Sequence, residues 1–171
     1  GFVGRTVALS TLRTAFETAR AGRSASVMVH GPSGIGKSAL VQHFIDTPAN
    51  ERVLVLRSRC HEHEAIPYKA LDGVIDSLAG HLRALPQAER VALVPDDAAA
   101  LGRLFPVLRT IGLNEDGQDD ADPIAPRRKA FMAFRELLGR LAERQPVVVD
   151  IDDFHWSDVD SITWLTELLR P

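Results

Sequence analysis

A run of eight residues constrains this chain more than anything else in it: Gly31-Pro32-Ser33-Gly34-Ile35-Gly36-Lys37-Ser38 satisfies the pattern G-x-x-x-x-G-K-[ST]. Glycines at these positions let the backbone curl so that successive N–H groups point inward at phosphate oxygens. A helix starting at the end of the loop adds its positive N-terminal end. Lys37 has the reach to meet the β- and γ-phosphates, and the Ser38 hydroxyl can bind Mg²⁺. The whole stretch from Gly31 to Ser38, with Ala39 following it, is therefore the expected nucleotide-binding segment. The flanks suit that reading. Ser26-Val27-Met28-Val29-His30 is a short apolar run with β-branched residues, which predicts a buried strand. Ala39-Leu40-Val41-Gln42-His43-Phe44-Ile45 has the apolar spacing of a helix. Strand, glycine loop, helix is the order that phosphate binding needs.

With 171 residues the chain suits one domain with a sizeable core. A net charge of −3 argues against a broad nucleic-acid-binding face. Cys60 is the one cysteine, so no internal disulfide can form and a cytoplasmic setting is expected. No apolar run approaches the ~20 residues of a membrane span. The chain begins at Gly1 without methionine and ends just past a predicted helix, so residues 1–171 are expected to be a domain excised from a larger protein.

Along the chain, Leu9, Leu12, Phe16 and Ala19 predict a helix over 7–21, with Gly22 as its stop. Residues 52–57 predict a second strand. Pro67 opens another helix, with Leu71, Val74, Ile75, Leu78 and Leu82 on one face. Residues 87–111 read as helical pieces broken by Pro95 and Pro106. Residues 114–123 form an acidic connection that does not fit a calcium-loop spacing. A long helix over about 126–144 has Phe131, Phe134, Leu137, Leu138 and Leu141 as its apolar face. Arg127, Arg128 and Lys129 make its start basic.

The segment Val147-Val148-Val149-Asp150-Ile151-Asp152-Asp153 is an apolar strand ending in paired carboxylates, a Walker B pattern. Mg²⁺ takes oxygen ligands and keeps several waters, so one nearby carboxylate suffices. A second can orient or deprotonate an attacking water. Asp152 is assigned to the metal, through water, and Asp153 to the catalytic role beside Lys37. Asp150 interrupts the apolar strand and shares a face with Asp152 by alternation. It is expected to be an edge or site-facing carboxylate, with tuning of Mg²⁺ as the alternative.

Three stretches together resemble the STAND class of signal-transduction ATPases within the AAA+-related P-loop proteins. They are Phe2-Val3-Gly4-Arg5, the phosphate loop, and Asp152-Asp153-Phe154-His155-Trp156-Ser157-Asp158. The likeness is to modules in large LuxR-type transcriptional regulators, and Arg59-Cys60, Pro67-Tyr68 and Leu104-Phe105-Pro106 also fit it. The resemblance implies an α/β, three-layer P-loop NTPase core with a parallel sheet in the order 5-1-4-3-2. Residues 1–171 would hold strands one to three and lack the later strands and the helical lid. It implies that Val3, Gly4 and Arg5 lie on the adenine side of the nucleotide, with Thr6 where the family often has Glu. Trp156 would be a packing residue, and His155 a candidate sensor of the phosphate end.

Cys60-His61-Glu62-His63-Glu64 is too tightly spaced for a usual zinc site, and Glu62 or Glu64 is the better candidate to face a phosphate. Arg57 and Arg59 are expected to be solvated or paired at the sheet edge. The function these features point to is a regulatory switch that binds ATP or ADP with Mg²⁺ and hydrolyses slowly. It would act on attached effector and output domains, including a DNA-binding helix-turn-helix, and self-assemble when ATP-bound. Neither a membrane nor nucleic acid is expected to contact residues 1–171 directly. The alternatives are a fast motor or loader ATPase, a P-loop kinase, or a nucleotide-binding scaffold without catalysis. No Asn-Lys-x-Asp occurs, which disfavours a GTPase.

Overall fold

A computed structural model describes residues 5–47, 52–62, 67–111 and 125–169. The chain divides into two compact units, Gly1–Val53 with Leu169–Pro171, and Leu54–Leu168.

The first unit is built on helices α1 (Thr6–Arg20) and α2 (Lys37–Ile45). The helix α1 stops where its sequence says it should. Gly22 takes a left-handed φ of 78°. Its N–H donates to the Ala19 carbonyl and that of Arg23 to Thr18, which satisfies the last carbonyls of the helix. The two helices meet through Phe16 and Phe44, whose rings pack edge to face at 5.9 Å. The predicted strand over 26–30 does not form. Residues 23–30 are irregular and exposed apart from half-buried Val29. Among the described residues no strand pairs with this segment. A strand without a neighbour has no ladder to satisfy its backbone, so water does so instead.

The second unit carries a two-stranded parallel sheet, β1 (Leu54–Arg59) beside β2 (Val147–Asp152), instead of three strands. Leu54 lies opposite Val147 and Arg59 opposite Asp152. This parallel pairing is compatible with a P-loop α/β core. One face, with Leu54, Leu56, Val147, Val149 and Ile151, joins the core. By alternation the other bears Val55, Arg57, Arg59, Val148, Asp150 and Asp152.

Helix α3 (Lys69–Ala84) covers the core face, and every residue predicted for its apolar stripe is buried: Leu71, Val74, Ile75, Leu78 and Leu82. It approaches β1 closely because Gly73 has no side chain. A Cβ there would stand 2.8 Å from the Ser58 Cα and 2.9 Å from the Arg57 carbonyl oxygen. One turn on, the Ser77 hydroxyl accepts from the Arg57 N–H at 3.2 Å and donates to its carbonyl at 3.1 Å. The outer edge of β1 is thus closed by a helix, a common way to cap an edge strand.

The rest of the core comes from α4 (Gln87–Val91), α5 (Ala98–Leu104), a 3₁₀ turn at Pro106–Ile111, α6 (Ala125–Ala142) and α7 (Val159–Leu168). Trp164 of α7 sits among Tyr68, Phe105, Phe131 and Phe134, stacked on Phe134 at 5.1 Å. Arg140 of α6 ties the elements together through the Val94 carbonyl and the Glu136 carboxylate. The acidic segment 114–123 lies outside the described residues. No described helix is long and apolar enough to cross a membrane.

Candidate functional site

The phosphate loop lies wholly in the first unit. Gly34 and Gly36 take left-handed φ values of 75° and 86°, which turn the chain into α2. Gly36 is the residue preceding the helix, and no side chain caps it. The first N–H groups of any helix lack intrahelical partners. Here the helix starts at Lys37, so those groups are the N–H groups of Lys37, Ser38 and Ala39. The Lys37 ammonium folds back over the loop, donating to the carbonyls of Gly31 at 3.0 Å and Pro32 at 3.2 Å. Ser38 and Ala39 are exposed.

Arg5 has a contact that the sequence reading did not anticipate. Its guanidinium donates to the Gly36 carbonyl at 2.7 Å and also to that of Ile35. It therefore props the C-terminal end of the loop, and a Cβ at Gly36 would come within 3.3 Å of it. The adenine-side role expected for Val3 and Gly4 falls outside the described residues.

The acidic residues lie at the end of β2 in the second unit. The Asp153 N–H donates to the Asp152 carboxylate at 3.0 Å, and Asp153 itself takes a left-handed φ of 53°. The Arg59 guanidinium holds the Asp153 carboxylate from β1, with Nε 3.0 Å and the terminal nitrogen 2.9 Å from the same oxygen, Oδ2. Asp150 faces Arg57 at 3.7 Å. Burial raises the Asp150 pKa above its ordinary value; Arg57 opposes the rise and Asp152 adds to it. Both arginines are thus paired at the sheet edge. Glu62 is exposed, whereas His63 and Glu64 lie outside the described residues. Among the described residues no three His, Cys, Asp or Glu side chains gather to hold a metal.

The end of the Asp-Asp-Phe-His-Trp-Ser-Asp run behaves differently from expectation. Trp156, expected to be a packing residue, is 42% exposed and lies against the His155 ring at 5.0 Å. The unexpected residue is Asp158. One carboxylate oxygen accepts from the N–H groups of Tyr68 at 3.0 Å and Ser161 at 2.8 Å. The other accepts from the Ser161 hydroxyl at 2.5 Å and the Ala70 N–H at 3.4 Å. Asp158 thereby caps α7 and also the start of α3, where Tyr68 is left-handed at φ 65° and no local side chain caps the helix. Burial pushes the Asp158 pKa up, but the hydrogen bonds from Ser161, Tyr68 and Ala70 together outweigh it and hold the group below its ordinary value. The cap at α7 was legible as Asp-x-x-Ser before an apolar run. The link to α3 was not, because it joins residues far apart in sequence.

The sequence model of the family described as AAA ATPase domain matches residues 1–171. An uncharacterized protein of Rhizobium meliloti (strain 1021) is 28% identical over 183 residues, covering 98% of this chain. The chain spans 17% of that relative's length. No solved structure matches it.

Proposed function

The chain belongs to the AAA ATPase domain family, and on that premise we propose that it is a regulatory switch that binds Mg-ATP and hydrolyses it slowly. The family supports an ATP-binding, P-loop ATPase module. The finer reading, a STAND-class switch within a longer signalling or transcription-regulating protein, rests on the sequence resemblance. In this proposal the backbone donors of residues 31–39 hold the phosphates and Lys37 neutralises them. Ser38 binds Mg²⁺ directly and Asp152 reaches it through water, and Asp153 orients or deprotonates the attacking water. Val3, Gly4 and Arg5 serve the nucleotide from the N-terminal side, with Arg5 acting through the loop it props.

The observation that carries the reading is the left-handed Gly34 and Gly36 turn into α2, with Lys37 and Ser38 at the helix start. Those residues fit a nucleotide's phosphates and its magnesium ion, which when bound would neutralise charge on the phosphates. Effector binding, output to a DNA-binding domain and ATP-dependent self-assembly belong to the same proposal, as does a cytoplasmic setting.

The test is to measure ATP and ADP affinities and the turnover rate in the full-length protein. A preference for ADP with turnover well below the ~10 s⁻¹ of a median enzyme supports the switch. Turnover at or above that rate supports a motor or loader instead. Tight binding with no turnover supports the scaffold.

A further inference from the structure

Arg59 has no part in the reaction as proposed above, yet among the described residues its side chain pairs with the residue assigned to water. It ends β1, directly across the ladder from Asp152. Its side chain nevertheless engages the next residue, with two nitrogens converging on Asp153 Oδ2 at 3.0 and 2.9 Å. The backbone of Asp153 is held independently by its N–H bond to Asp152 Oδ1 at 3.0 Å. Its φ of 53° lies in the left-handed region, which aspartate enters more readily than most non-glycine residues.

Fold stability does not account for this pair. The Arg59 side chain is 63% exposed, and ion pairs so placed contribute little to folding. What the pair does achieve is orientation. The planar guanidinium donates from Nε to Oδ2 while a terminal nitrogen pairs with the same oxygen, which anchors Oδ2 against the arginine fork as a lysine ammonium would not. The guanidinium makes no hydrogen bond to Oδ1.

We propose that Arg59 is a positioning residue for hydrolysis, holding the Asp153 carboxylate by Oδ2 so that Oδ1 is presented to the attacking water. The inference rests on the ATPase reading of Asp153. Arg59 stays protonated throughout and exchanges no proton.

A double-mutant cycle on ATP turnover in the full-length protein tests it. Arg59→Ala should lower kcat roughly tenfold while leaving KM for ATP within about twofold, since a misplaced group costs rate more than binding. Arg59→Lys should fall between the two. In the background of Asp153→Asn, removal of Arg59 should cost nothing more, because the residue acts through that carboxylate. Unchanged or raised kcat in Arg59→Ala, or losses that add in the double variant, would overturn the proposal alone. A wild type that does not turn over, or that is unaffected by Asp153→Asn, would overturn the ATPase reading and this inference with it.

Discussion

The two units carry the two parts of the candidate chemistry on different kinds of support. In the first, only Phe16, Leu40 and Phe44 are buried among the described residues. The phosphate loop there owes its shape to backbone: left-handed glycines, a helix start and the Arg5 guanidinium on two carbonyls. In the second, the acidic end of β2 stands on a continuous core that includes Leu56, Leu78, Leu101, Phe134, Leu137 and Trp164. Its carboxylates are held by groups distant in sequence, Asp153 by the Arg59 guanidinium and Asp158 by the backbone N–H groups of Tyr68 and Ala70. A loop that must receive a ligand can tolerate light packing, whereas a carboxylate that must be aimed needs a rigid support.

The comparison can be broken at several points. The largest effect is expected from Asp153→Asn, which should retain nucleotide binding and lower turnover by roughly 100-fold, the scale of general-base catalysis. Equal turnover would remove Asp153 from the reaction. Next, Asp158→Ala should destabilise the second unit by about 2–3 kcal/mol, because it uncaps two helices and strands the buried Ser161 hydroxyl. A denaturant midpoint unchanged from wild type would contradict the double-cap account. Gly73→Ala should cost about 1–3 kcal/mol, since its Cβ would meet the backbone of β1 at Ser58 and Arg57 as well as the Ser58 hydroxyl. The same measurement on Gly80→Ala, where nothing lies within 4 Å of the added carbon, should show no such loss.

The smallest effects are those of pH, and the two perturbed carboxylates act in opposite directions. Asp158 has a lowered folded pKa, so its stabilisation is complete above the ordinary value of 3.8 and is lost as pH falls through the folded one. Asp150 has a raised folded pKa, so its ionised form is penalised above that value, and the penalty is relieved as pH falls through it. Asp150→Asn should therefore raise the denaturant midpoint slightly at pH 7, and the gain should vanish in acid. A loss of stability would mean that the Arg57 contact outweighs burial.

Local features of the fold were legible in the sequence, and those that depend on a distant partner were not. The apolar stripe of α3 and the Gly22 stop of α1 follow from spacing and φ preference within a few residues. The strand over 26–30 failed because a strand is stabilised by neighbours, and spacing alone does not report whether they are present. Within the site, Lys37 and Ser38 were legible from a contiguous motif. The clamp of Arg59 on Asp153 needed the β1–β2 register, and the prop of Arg5 under Gly36 needed the packing of the first unit. Gly73 did leave a trace, as a glycine inside a strongly amphipathic helix, which signals close approach of another backbone.

The central claim is that residues 31–39 bind the phosphates of a nucleotide. Equilibrium binding of fluorescent Mg-ATP to the full-length wild type and to Lys37→Ala tests it most directly. Saturable binding that weakens at least ~10-fold in the variant is the predicted result, because Lys37 is the one charge the motif aims at the phosphates. A folded wild type that does not bind, or a variant that binds equally well, would contradict it.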